Sequence, residues 1–116
     1  MANADTAAKA LARHILKVAP KSAKVLFEND FVRVIEITMK KGQKVPMHSH
    51  NKGISYSLNE GKIRSQNLDG RVAVFKVKKG DLSWSGEDGA ETHSVDNLGG
   101  VLRELSVEIK GRSQTP

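Results

Sequence analysis

The sequence contains no cysteine. This absence excludes disulfides, thiolate metal sites and a thiol nucleophile, and it fits a reducing compartment. No run approaches the roughly 18 consecutive apolar residues that a transmembrane helix needs. The N-terminus carries acidic Asp5 and lacks the continuous apolar region of a signal peptide. We therefore expect a soluble, cytoplasmic protein without a membrane partner.

Aromatic residues are also scarce, with three Phe, one Tyr and one Trp. The net charge of +6 lies at the ends of the chain: residues 1–26 carry five basic residues against one acidic, and residues 27–109 are balanced. A nucleic-acid-binding surface concentrates basic residues on a folded face, beside aromatic residues that stack on bases. We therefore expect no specific nucleic-acid partner.

The first part of the chain has the pattern of one helix. Apolar residues recur at helical spacing across residues 4–18, namely Ala7, Leu11, Ile15 and Val18. Pro20 then ends the run. We expect this helix to cover part of the core. His14 lies on it between basic residues, a setting typical of a solvent-exposed histidine.

The rest of the chain has the pattern of short strands. Residues 31–39 alternate in polarity, and strand-like runs recur at 71–77 and 101–109. Glycine-containing turn signals separate these runs at short intervals. For 116 residues, this pattern predicts a single all-β domain, a sandwich or a barrel.

His48 and His50 are candidate metal ligands because they are one residue apart. On a strand, residues i and i+2 face the same side, so the two imidazoles can converge on one point. Neutral imidazole is a common ligand of divalent transition metals. Alone the pair is weak evidence, because exposed alternating strands often place polar residues in this way.

The spacing around these histidines is more specific. One group of residues follows the order G-x5-H-x-H with a later glycine, namely Gly42, His48, His50 and Gly61. A second group ends in H-x3-N, namely Gly80, Gly86, Gly89, His93 and Asn97. These two groups resemble the two motifs of the cupin superfamily, over roughly residues 25–110.

The resemblance implies a cupin-type β-barrel (jelly roll) with one short N-terminal helix, over residues 25–110. Residues 1–24 would form the helix and linker, and residues 111–116 a tail. It also implies one divalent ion (Fe, Zn, Ni or Mn) held by His48, His50 and His93. The usual glutamate ligand is missing, because its position is occupied by Ile54. Acidic residues before His93 could complete the ligand shell, namely Glu87, Asp88 and Glu91.

Several other residues are candidates for the chemistry. Tyr56 would share the face of His48 if the strand has no bulge, and a tyrosine has this placement in cupin-type lyases acting on dimethylsulfoniopropionate. Arg64 and Gln66 on the next strand could bind an anionic substrate. Trp84 could line the same pocket, although packing in the core is the commoner role of a single tryptophan.

These observations predict a metal-binding small cupin, an enzyme of the dioxygenase or lyase type acting on a small molecule. Three-histidine sites occur in cupin-type thiol dioxygenases, which supports the first class. Two alternatives stay open: a non-catalytic binding or sensing module, and a scaffold with a vacant metal site. The resemblance further implies a homodimer with the helix near its interface.

Overall fold

The computed structural model describes residues 14–85 and 91–110. Within these residues a short helix precedes nine strands. Their bounds are α1 (Ile15–Val18), β1 (Ala23–Glu28), β2 (Val32–Met39), β3 (Lys44–His50), β4 (Gly53–Ser57), β5 (Gly61–Asn67), β6 (Val72–Val77), β7 (Leu82–Ser85), β8 (Glu91–Asn97) and β9 (Leu102–Ile109).

The nine strands form two antiparallel sheets. The five-stranded sheet has the order β1-β2-β9-β4-β7, and the four-stranded sheet has the order β3-β8-β5-β6. Their inner faces share one core, so the predicted all-β architecture is confirmed. The described strands pair as two sheets and not as one closed barrel.

Strict alternation on β2 explains how the core forms. Ile35, Ile37 and Met39 are each at most 4% exposed, whereas the residues between them are half-buried. Burying such a side chain contributes about 1.5–3 kcal/mol. The same core includes residues from the helix and from both sheets, namely Ile15, Ala23, Val45, Val95 and Leu102.

The outer glycine and asparagine of the two sequence motifs meet in space. The Gly42 amide donates to the Asn97 carbonyl at 3.2 Å. Gly42 has a φ of 76°, a conformation that side chains disfavour. The Asn97 amide group donates to the carbonyls of Met39, Lys40 and Gly100 at 2.8–3.0 Å. Asn97 therefore ties the β2–β3 turn to the β8–β9 turn.

The N-terminal segment differs from the expectation in one respect. Ile15 is 1% exposed and packs into the core, so α1 does cover the core; the part of the predicted helix before residue 14 lies outside the described residues. His14, expected on the surface, is only 4% exposed. That expectation is wrong because a buried carboxylate on β9 pairs with the imidazole. No helix in the described ranges is long and apolar enough to cross a membrane.

Candidate metal centre

A bulge in β3 directs the histidines toward the interior. Val45 pairs with Val95 and His48 pairs with His93, so two residues of β3 oppose one of β8. Pro46 lies in this bulge, where its missing N–H costs no ladder hydrogen bond. As a result Val45 and His48, three residues apart, are both buried, at 1% and 2% exposure.

The three predicted histidines come together inside the molecule. Nε2 of His48 lies 3.0 Å from Nε2 of His50. The ring of His93 lies 4.7 Å from that of His48 and 5.2 Å from that of His50, between centroids. One ring nitrogen of each residue falls within 4.8 Å of the others. The expectation that these side chains converge is confirmed.

Hydrogen bonds and burial favour the uncharged rings that a metal requires. His48 donates from Nδ1 to the Pro46 carbonyl at 2.7 Å, which leaves the lone pair on Nε2. Burial, followed by the neighbouring histidines, lowers the pKa of His50 to about 3. Burial lowers the pKa of His93 to about 4. Both rings are therefore neutral at physiological pH.

The donor set fits a divalent transition metal ion. Two nitrogen ligands about 2.1 Å from an ion lie roughly 3.0–3.4 Å apart, depending on the coordination angle. The separation between His48 and His50 is in this range. In the described part of the chain, no carboxylate belongs to this group of ligand atoms, which lie within 4.8 Å of one another. Glu87 and Asp88 lie outside the described residues, as does the side chain of Glu91.

The histidines open into a cavity of about 280 Å³. Both sheets and the helix contribute to its walls. The apolar lining residues are Ile15, Ile37, Met39, Val45, Ile63, Phe75 and Val95. The polar ones, besides the histidines, are Ser55, Ser65, Ser83, Ser85 and Glu104. Among the described residues that line it, Glu104 is the only acid and there is no lysine or arginine.

A second buried polar cluster lies beside the first. Glu108 is 1% exposed, and its carboxylate accepts from His14 at 2.7 Å and from Arg33 at 3.0 Å. The Leu16 amide donates to Nδ1 of His14 at 3.1 Å, so the proton of this ring is on Nε2. The Asn51 amide, next to His50, donates to the same carboxylate at 3.3 Å.

Comparison with solved structures identifies the arrangement of the sheets. A cupin domain from Bordetella pertussis Tohama I matches with a TM-score of 0.70 at 19% identity, over 77% of this chain and 92% of that one. A conserved protein with a double-stranded β-helix domain from Klebsiella pneumoniae matches with a TM-score of 0.61 at 19% identity, over 79% and 78%. The protein has the cupin fold. No protein-family model matches the sequence, and no curated protein matches it significantly.

A third match agrees with this fold. A cupin superfamily protein from Desulfitobacterium hafniense DCB-2 has a TM-score of 0.58 at 13% identity, over 77% of this chain and 76% of that one. At such identities the likeness concerns the fold alone. What this protein does must therefore be argued from its own cavity.

The cavity does not include Tyr56. Its neighbour Ser55 lines the cavity, whereas Ile54 and Tyr56, each 39% exposed, lie on the outer face of β4. The prediction that Tyr56 shares the face of His48 is wrong, because β3 ends at His50 and β4 begins at Gly53 with the opposite phase. The missing glutamate at position 54 would also have faced outward.

The other predicted substrate-binding residues are likewise outside the cavity. Ile63 and Ser65 of β5 line it, so Arg64 and Gln66 lie on the opposite face, beside Lys44 and Asp96. Trp84 is 53% exposed on the outer face of β7. The structure thus contradicts the placement of all three in the pocket. Successive residues of a strand face opposite sides, and in β5 and β7 the other set of alternate residues faces the cavity.

Sequence reasoning missed the serines and Glu104 because it assigns large residues, and not serines, to the interior of a fold. In β4 and β7 the order is reversed: serines face the cavity and large residues face outward. The pattern of β9 does not reveal Glu104 either, since the apolar residues Leu105, Val107 and Ile109 alternate on the opposite face. The burial of Leu102 and Ser106 in the structure places Glu104 on the inner face.

Proposed function

We propose that this cupin is a metal-dependent enzyme acting on a small molecule held between its two sheets. His48, His50 and His93 would hold one divalent transition metal ion, Fe, Zn, Ni or Mn. The convergence of three neutral imidazoles at one end of a cavity is the observation that supports this most directly. When bound, the ion would act as a Lewis acid on the substrate.

The residues around the histidines support metal binding by orienting the rings. The Pro46 carbonyl holds His48 through Nδ1, and the Ser65 hydroxyl lies 3.1 Å from Nδ1 of His93. Partners of this kind fix the tautomer and the ring orientation of metal-binding histidines. The apolar wall beside them limits access of water to the cavity.

Of the two enzyme classes, we propose the oxygen-dependent dioxygenase before the lyase. The comparison with lyases depended on Tyr56, which lies on the outer face of β4. Glu104 is the acid on the cavity wall that could accept or return a proton. With a thiol substrate, a dioxygenase would add both atoms of O₂ to the sulfur and form a sulfinic acid, with no other reductant.

Metal analysis of the protein purified without added ions tests the proposal. We expect close to one equivalent of a transition metal, and its loss after treatment with a chelator. Less than about a tenth of an equivalent, before and after incubation with iron(II) and zinc, would favour the scaffold with a vacant site. Metal with no turnover of any thiol or other small molecule would favour the binding module.

Oxygen consumption separates the two enzyme classes. With iron(II) and candidate thiols, a dioxygenase takes up oxygen in proportion to the thiol lost. Substrate consumption that continues without oxygen would instead favour the lyase. A His93→Ala variant is the control, because it removes a proposed ligand from the same cavity.

We further propose a homodimer formed through the outer face of the five-stranded sheet. An apolar row crosses all five strands in register, namely Phe27, Val34, Val107, Ile54 and Trp84. Tyr56 and Leu82 extend it. Since a large side chain presents roughly 150–250 Å², the exposed members together present on the order of 500 Å². This matches the apolar share of the roughly 800 Å² that each partner buries in a stable dimer.

Light scattering during size-exclusion chromatography tests the dimer. We expect wild-type protein at twice the chain mass and an Ile54→Lys variant at the chain mass, because Ile54 lies mid-row. Leu68→Lys is the matched control, since Leu68 is 60% exposed in the β5–β6 turn, away from the row. A monomeric wild type, or a dimer unaffected by Ile54→Lys, would contradict the proposal.

A further inference from the structure

The outer faces of the two sheets differ in chemistry. The five-stranded sheet carries the apolar row of the proposed dimer, whereas basic side chains crowd one end of the four-stranded sheet. Ile63 of β5 and Phe75 of β6 line the cavity, so the adjacent residues Lys62 and Lys76 lie on the outer face. In register, these two lysines are directly opposite each other.

Two lysines in this position repel each other, since like charges directly opposite on neighbouring strands destabilise a sheet. Lys78 and Lys79 follow β6 in the chain and add two positive charges to the same region. All four side chains are exposed, and none of them forms an ion pair with a residue that the structure describes. An anion bound between them would therefore relieve a repulsion that the fold itself leaves in place.

The four lysines line one open groove with a volume of about 580 Å³. Among its described lining residues the one acid is Glu60, so four positive charges stand against one negative charge. Gly99 and Gly100 of the β8–β9 turn form another side of the groove. A Cβ on Gly99 would lie only 3.3 Å from the amide nitrogen of Lys62. Glycine therefore lets the turn lie against β5, and it leaves backbone accessible to a ligand.

The excess of positive charge is confined to this end of the face. Farther along, Asp96 lies opposite Arg64 on one side and opposite Lys44 on the other, so the charges there offset one another. A nucleic-acid strand needs basic residues along an extended path, with aromatic side chains on which bases stack. No aromatic residue is among the described residues that line the groove. The arrangement instead matches several negative charges on one compact group.

We propose that this groove binds a small anion that carries a diphosphate group. Lysine ammonium groups bind phosphate as point charges, and the opposed pair Lys62 and Lys76 would hold the group between them. Lys78 and Lys79 would contact its remaining oxygens. No described residue lines both this groove and the histidine cavity, so the anion site does not depend on the proposed metal.

Titration of the full chain with pyrophosphate and with orthophosphate, followed by NMR of the backbone amides, tests the site. Treatment with a chelator removes any metal first, so that phosphate cannot bind at the three histidines. We expect pyrophosphate to bind at least about tenfold more tightly than orthophosphate, as one additional charge-assisted hydrogen bond provides. The largest shifts should occur at Lys62, Lys76 and Gly99, and the affinity should fall as the salt concentration rises.

Adenosine diphosphate distinguishes two sources of the same group. An affinity equal to that of pyrophosphate would support the diphosphate site and assign it to a free polyphosphate. A higher affinity would also support the site and assign it to a nucleotide.

The decisive variant combines Lys62→Gln with Lys76→Gln, which removes two charges from exposed positions. We expect its pyrophosphate affinity to fall at least about tenfold. The matched control combines Lys21→Gln with Lys24→Gln, because both lysines are exposed near the start of β1, in the other sheet, and the net charge changes equally. The control should stay within about threefold of wild type. If the decisive variant does not fold, Lys79→Gln replaces it and should weaken binding about threefold or more.

Three results would overturn the diphosphate site. The first is an absence of shifts at the groove with pyrophosphate at tens of millimolar. The second is an equal loss of affinity in the decisive and the control variants, which would mean that net charge alone attracts the anion. The third is a short DNA duplex that binds through the same lysines more tightly than pyrophosphate at equal phosphate concentration, which would make the groove part of a nucleic-acid surface.

Discussion

Two buried histidine clusters lie side by side in this protein, and they differ in how their polar atoms are satisfied. In the first, His14 donates to Glu108, and Arg33 neutralises that carboxylate. In the second, the ring nitrogens of His48, His50 and His93 lie within 4.8 Å of one another, and no carboxylate of a described residue belongs to this group. His14, Glu108 and His48 are buried, and among the described residues only the first cluster contains a carboxylate.

This difference indicates what each cluster does. Buried polar groups are stable when they are hydrogen-bonded and when their charges are paired. The Glu108 cluster meets both conditions with protein groups, so its role is to hold the N-terminal segment and Asn51 against the strands. The three-histidine cluster brings one ring nitrogen of each residue within 4.8 Å of the others, an arrangement that could hold a cation. Removing a member should therefore cost folding stability in one cluster and metal affinity in the other.

The largest effect is expected from Glu108→Ala in metal-free protein. Removing one partner of a buried ion pair leaves Arg33 and His14 without their acceptor, which costs about 3–5 kcal/mol of unfolding free energy. Urea denaturation monitored by circular dichroism measures it. Glu60→Ala is the control, because Glu60 is exposed, and its change should stay within about 0.5 kcal/mol. A similarly small loss for Glu108→Ala would show that the cluster does not stabilise the fold.

Metal affinity should depend on the three-histidine cluster and not on the Glu108 cluster. His50→Ala removes a proposed ligand, so we expect zinc affinity to fall by more than about 100-fold, beyond what the loss of an outer-shell partner costs. His14→Gln keeps a side chain able to donate to Glu108 and should leave the affinity within about threefold. Competition with a chromophoric chelator measures both. Equal losses in the two variants would remove the distinction between the clusters.

The two clusters also show how far the sequence alone could lead. The two motifs, in which Gly42, Gly61 and Asn97 accompany the three histidines, were enough to predict the cupin fold and the meeting of three rings. His14 could not be assigned, because its partner Glu108 is 94 residues away and the basic residues beside it suggested solvent. Long-range pairing of this kind leaves no local pattern.

The second limit on prediction from the sequence was strand phase, that is, which of the alternating side chains of a strand face inward. A change of one residue moves every side chain of a strand to the other face. The break after His50 made such a change, so Ser55 replaced Tyr56 in the cavity. Periodicity predicts that residues alternate, but which half faces inward depends on turns and bulges that single residues such as Pro46 determine.

Acid should weaken the Glu108 cluster in a defined way. The pKa of Glu108 lies below its ordinary value: burial would raise it, but hydrogen bonds from His14 and Arg33 outweigh burial. A carboxyl group with a lowered pKa stabilises the fold above its unfolded-state pKa of about 4.3, and this contribution is lost as pH falls through the folded-state value. The stability advantage of wild type over Glu108→Gln should therefore shrink below about pH 4.3.

Urea midpoints of both proteins between neutral and acidic pH measure this advantage. The subtraction cancels the titration of groups that both proteins share and that do not interact with Glu108, whereas His14 and His50 do interact with this carboxylate. An advantage that stays constant through the acid range would mean that the carboxylate charge of Glu108 contributes nothing.

The smallest effect concerns Ser65, which approaches Nδ1 of His93 at 3.1 Å. The corresponding partners of His14 and His48 are backbone groups, the Leu16 amide and the Pro46 carbonyl, so substitution cannot remove them. Ser65 is a side chain and can be removed. Because such partners orient the ligand and maintain its basicity, Ser65→Ala should lower zinc affinity about tenfold.

Ser49→Ala is the matched control for Ser65→Ala. Ser49 is 1% exposed between His48 and His50, but its hydroxyl pairs with Thr92 at 2.8 Å. This variant should lose about 1 kcal/mol of stability and keep its zinc affinity. If both serine variants lose affinity equally, the effect arises from loosening of β3 and not from the orientation of His93. An affinity loss in Ser65→Ala alone would establish that the three-histidine cluster has its own oriented support, as metal sites do and structural histidines do not need.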